Sequence, residues 1–86
     1  RAHRKLQLQT LAKASQAVEE IELNLRDHTS MTVAINPLDL PEARLMIKKF
    51  RRDLIAYFER ANRQKPTEVY QLNLALYPLS NTKEKI

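Results

Sequence analysis

The 86 residues carry 15 Lys/Arg against 10 Asp/Glu, one small basic domain that buries only about 60% of the surface of its unfolded chain, so its core is expected to be thin. Without cysteine or glycine, disulfide frameworks and thiolate zinc sites are excluded, as are phosphate-cradling loops, nucleophile elbows and dinucleotide fingerprints. The basicity is local: residues 37–66 hold eight Lys/Arg against four Asp/Glu, residues 1–36 five against four, and residues 67–86 two against two.

From His3 to about Leu23, the apolar residues Leu8, Leu11, Val18, Ile21 and Leu25, with Ala14 and Ala17 between them, recur at the spacings of an amphipathic helix. Lys5, Gln9, Lys13, Gln16, Glu20 and Glu22 read as its solvated surface. Residues 24–30 lose the period and form a connection. Met31, Val33 and Ile35 then alternate with Thr32, Ala34 and Asn36, the two-residue rhythm of a short half-buried strand. Asn36-Pro37-Leu38-Asp39-Leu40-Pro41 supplies two capping side chains and two prolines, and Pro41 suits a first helical turn, which places the next helix start near Leu40.

The second helix is the clearest element. Ala43, Met46, Ile47, Phe50, Leu54, Tyr57, Phe58 and Ala61 keep the helical spacing to about Asn62. Pro66 closes the following loop. Tyr70, Leu72, Leu74 and Leu76 alternate with Gln71, Asn73, Ala75 and Tyr77, which predicts a second, longer strand ended by Pro78. Residues 1–80 are expected to form the domain and residues 81–86 a flexible tail.

The order helix-strand-helix-strand predicts an α+β fold: a small sheet of two parallel strands per chain packed on two helices. Two strands are marginal and leave open edges, so the sheet is expected to be completed either by a second copy in a homodimer or by another part of a longer protein. Arg1 in place of an initiating methionine reads as the start of such a fragment. Phe50, Leu54, Phe58, Tyr70, Leu72, Leu74 and Leu76 are the expected core and dimer residues. No apolar run approaches the ~20 residues that span a bilayer, so a cytoplasmic protein without membrane partners is expected.

Three groups of side chains invite a chemical reading. Arg44, Lys48, Lys49, Arg51 and Arg52 cluster on one helix and could neutralise phosphates of nucleic acid or another anion. Asp53 interrupts them and Phe50 belongs to the apolar stripe, so a solvated basic face is the favoured alternative. Gln71, Asn73 and Tyr77 share the polar face of the second predicted strand and could meet a small ligand or a partner. Arg26-Asp27-His28 offers a base beside a carboxylate, but neighbouring residues seldom face each other, and a loop salt bridge or helix cap is the commoner outcome. His3 and His28 lack ligand-spaced neighbours, and no serine stands in an activating motif. Neither catalysis, a metal nor a cofactor is expected.

The segments RDHTSMTVAIN, MIKKFRRDLIAYF and VYQLNLALYPLS, in this order, together with the opening HRKLQLQTLAKASQAVEEI, resemble the C-terminal domain of unknown function of the Fibrobacter-type paralogous family of bacterial helix-turn-helix transcriptional regulators. The resemblance runs from about His3 to Ser80, and the segment ending Tyr77-Pro78-Leu79-Ser80 is its most specific piece. It implies a DNA-binding region preceding this chain, through which DNA would be the partner, and it supplies no catalytic or ligand residues. The expected role is therefore a non-catalytic dimerisation or sensing module of a transcriptional regulator. The alternatives are nucleic-acid or anion binding through the basic helix and a protein-interaction platform using a free strand edge.

Overall fold

A computed structural model describes residues 2–61 and 65–80. Two helices account for its regular structure: α1, Ala2–Glu20, and α2, Leu40–Ala61. Short 3-10 turns at Leu23–Leu25 and Pro37–Asp39 lie between them. The expected end of the second helix at Asn62 and the expected tail at residues 81–86 lie outside the described residues.

The start of α2 follows from its residues. Asn36 Oδ1 accepts from the Leu38 backbone N–H at 2.9 Å, Pro37 opens the 3-10 turn, and the Asp39 N–H donates to the Asn36 carbonyl at 2.8 Å. Leu40 begins the helix with Pro41 next, where a missing N–H has no cost. Glu42 in the first turn and Arg60 in the last both complement the helix dipole. On α1 the arrangement is reversed, because its last turn has no cation and ends in Glu19 and Glu20. The missing counter-charge comes from outside the helix: Arg26 Nε donates to the Ile21 carbonyl at 2.8 Å, a side chain filling the place that a glycine-based C-cap takes in other chains.

The α+β expectation is corrected by this structure. Among the described residues there is no strand, and residues 26–36 and 65–79 follow irregular paths around the helices. The side-chain bonds of the second segment give the physical reason. Tyr70 Oη donates to the Leu25 carbonyl at 2.9 Å, and Asn73 Nδ2 donates to the Thr10 carbonyl at 3.0 Å. Residues 70 and 73 are three apart, so a pleated strand would send them to opposite faces; here both reach back to α1 and its following turn. The alternation of apolar residues therefore marks a segment that needs cover, not a segment paired in a ladder. A sheet completed by a second copy falls with the strands, as does a platform built on a free strand edge.

The core is the second departure. Among the described residues no side chain is buried; Ala14, Ala17, Ile47 and Leu54 are half-buried and mark where the helices receive partial cover. Among the described residues α1 and α2 make no packing contact with each other, and the one regular element that α2 meets is the 3-10 turn that leads into it. The chain exposes 9283 Å², whereas a closed monomer of this size exposes about 5,300 Å². Its radius of gyration, 16.2 Å, likewise exceeds the roughly 12 Å of a compact domain of this length.

Candidate protein-interaction surface

Two surfaces stand out, and both are helix faces. On α2 the apolar stripe runs through Ala43, Ile47, Phe50, Leu54 and Phe58, successive positions three or four apart. Phe50 is 51% exposed and Phe58 60% exposed, with Leu54 half-buried between them. The Phe58 ring meets Tyr57 edge-on at 5.5 Å between centroids, a local contact that leaves both rings open to solvent. On α1, Leu8, Leu11 and Val18 form a second stripe, again exposed.

The cations predicted as an anion site divide between two faces of α2. At about 100° per residue, Arg44, Lys48 and Arg51 fall within about 60° of one another, with Arg52 about 40° further round. They border the apolar stripe. Lys49 stands apart, and its ammonium is bound to the Asp53 carboxylate at 2.6 Å, one turn on. Because both side chains are well exposed, this pair contributes little to stability. It is the one ion pair among the described residues.

The proposed ligand face on residues 71–77 is rearranged in the structure. Asn73 turns its amide toward α1, and Gln71 Nε2 reaches Asn73 Oδ1 at 3.5 Å, whereas Tyr77 stays exposed and apart from them. Tyr70, expected in the core with Leu72, Leu74 and Leu76, is an anchor through its hydroxyl, and the three leucines are each about half exposed. These anchors are backbone carbonyls 45 and 63 residues away in the chain, for which the sequence offers no local signal beyond a tyrosine among leucines.

The segment weighed as a base and its carboxylate turns out to be a clasp. His28 Nε2 lies 2.8 Å from the Ala14 carbonyl and Nδ1 lies 3.3 Å from Arg26 Nη1. A carbonyl only accepts, so Nε2 carries the hydrogen and Nδ1 receives one from the guanidinium. Both ring nitrogens and Arg26 are thus engaged in holding the turn against α1. No described helix is long and apolar enough to cross a membrane.

The surface is thus a pair of uncovered amphipathic helix faces, the one on α2 bordered by cations, with α1 and the turn after it tied to residues 26–28 and 70–73 by a few side-chain bonds. No curated protein and no solved structure matches the chain. A family model described as a domain of unknown function, DUF4423, matches residues 1–79, and the chain belongs to that family.

Proposed function

We propose that this chain is a non-catalytic dimerisation or sensing module of a bacterial transcriptional regulator, bringing two copies of a DNA-binding region into two-fold relation. The observation that supports the reading is the absence of any buried side chain among the described residues, together with apolar stripes on both helices. Open faces of this kind mark interaction surfaces, and palindromic DNA sites require the two-fold symmetry that a self-associating module imposes. The resemblance to helix-turn-helix regulators supplies the context. Fusing the chain to a monomeric DNA-binding domain tests it: occupancy of a palindromic site should rise relative to the unfused domain. Equal occupancy on palindromic and single half-sites would overturn the reading.

A second reading, binding of nucleic acid or another anion, is favoured by one observation: Arg44, Lys48, Arg51 and Arg52 engage no carboxylate among the described residues. It predicts binding to duplex DNA that weakens steeply between low and moderate salt and is lost when these four become glutamate. Binding indifferent to both changes would exclude it.

A further inference from the structure

The two helices carry matching charge patterns at matching spacing. On α1, Arg4, Leu8, Leu11, Val18 and Glu19 lie in one sector of about 100°, with the cation at the N-terminal end and the anion at the C-terminal end. On α2, Arg44, Ile47, Lys48, Arg51, Ile55, Phe58 and Glu59 lie along a sector of about 120°, with Arg44 at the start, Arg51 near the middle and the anion at the end. Fifteen residues separate Arg4 from Glu19, and fifteen separate Arg44 from Glu59, so each span measures about 22 Å. Laid antiparallel, the two stripes bring Arg4 opposite Glu59 and Glu19 opposite Arg44, with Leu8, Leu11 and Val18 of one helix and Ile47, Ile55 and Phe58 of the other between them, alongside Lys48 and Arg51. None of Arg4, Glu19, Arg44 and Glu59 forms an ion pair among the described residues, and α1 and α2 do not touch within the chain.

We propose that a second copy of this chain lays its α1 antiparallel along α2 of the first, and reciprocally, in a two-fold dimer registered by the Arg4–Glu59 and Glu19–Arg44 pairs. This rests on the dimerisation reading above and names its surface. The partner is a second copy because the complementary charges sit on two helices of the same sequence in the same register. The exposed area suffices: the chain exposes 9283 Å², about 4,000 Å² more than a closed monomer of its size, and an obligate dimer burying about 2,000–5,000 Å² in total takes about 1,000–2,500 Å² from each copy. Leu8, Leu11 and Val18 against Ile47, Ile55 and Phe58 supply affinity. The charged ends fix direction and register, since like charges brought opposite one another are costly.

The experiment is a charge exchange read by sedimentation equilibrium of the whole chain. Glu19→Arg and Arg44→Glu should each weaken the dimer at least about 10-fold, because each places like charges together at both symmetry-related contacts. The double variant should return to within about 3-fold of the parent, and the pair Arg4→Glu with Glu59→Arg should behave the same way. For α1 by itself Glu19→Arg is favourable, since it puts a cation at the helix C-terminus; weaker association by this variant is therefore not an effect on the helix alone. A dimer unaffected by the single reversals, or a double variant as weak as the singles, overturns this arrangement and leaves the dimerisation reading standing. A parent chain that is monomeric at tens of micromolar overturns both.

Discussion

Phe58→Ala is the most informative single substitution. Phe58 is 60% exposed in the isolated chain, and a phenylalanine buries about 150–250 Å² when fully covered, so about 100 Å² of its surface is available to a partner. At about 25 cal/mol per Å², that surface contributes about 2.5 kcal/mol per copy, or about 5 kcal/mol across a two-fold dimer. Ordering of side chains at the interface offsets part of this, and a loss of about half, roughly 100-fold in dissociation constant, is the expected outcome. The isolated helix should not suffer, because alanine is the better helix former and the lost edge contact with Tyr57 is solvent-exposed. Sedimentation equilibrium across a concentration series, with circular dichroism at the same concentrations, separates the two effects. Unchanged association would refute the reasoning. So would a collapse of helix content at dilutions where parent and variant are both monomeric, the mark of the roughly 3–5 kcal/mol lost when a phenylalanine leaves a closed core, since it would mean that Phe58 is covered within its own chain.

Further outcomes concern the local devices. Asn36→Ala removes the acceptor for the Leu38 N–H and should destabilise the start of α2 by about 1 kcal/mol, read as faster amide exchange at Leu38 and Asp39 with little change at Arg60. Tyr70→Phe deletes the hydroxyl bonded to the Leu25 carbonyl; a loss of about 0.5–1.5 kcal/mol is expected, visible as faster proteolysis within residues 65–79 while α2 stays protected. Arg26→Ala uncaps the Ile21 carbonyl and frees His28 Nδ1, so the last turn of α1 should exchange faster. Lysine at the same position, which keeps the charge but not the fork, should recover only part of the protection. Equal exchange in the arginine, lysine and alanine chains would remove the clasp from the account.

Some of this architecture was legible in the residues and some was not, for reasons that can be located. Helical spacing in residues 43–58 and Pro41 beside Leu40 place α2, because period and cap are local properties. α1 was legible in the same way over most of its length. Alternation in residues 31–36 and 70–77 predicts a sheet, yet a two-residue period reports only that side chains differ in exposure from one to the next, not what lies beside the backbone. The bonds from Tyr70 to Leu25 and from Asn73 to Thr10 decide the path of the second segment, and they join positions that no short-range pattern connects. Arg44, Lys48 and Arg51 could be placed on one helical face from spacing alone. That Lys49 is drawn to Asp53 rather than joining them follows from the i,i+4 relation, which the dense stretch Lys48-Lys49-Phe50-Arg51-Arg52 obscured. The openness of the chain was foreshadowed by its length, but which faces stay bare depends on α1 and α2 remaining apart, a long-range property.

The mass of the chain in solution bears most directly on the claim that its apolar helix faces are completed by another copy. Sedimentation equilibrium from one to one hundred micromolar should show a monomer–dimer equilibrium with the dimer dominant at the upper end, and helix content rising with it. A monomer throughout, with concentration-independent helix content, would contradict the account.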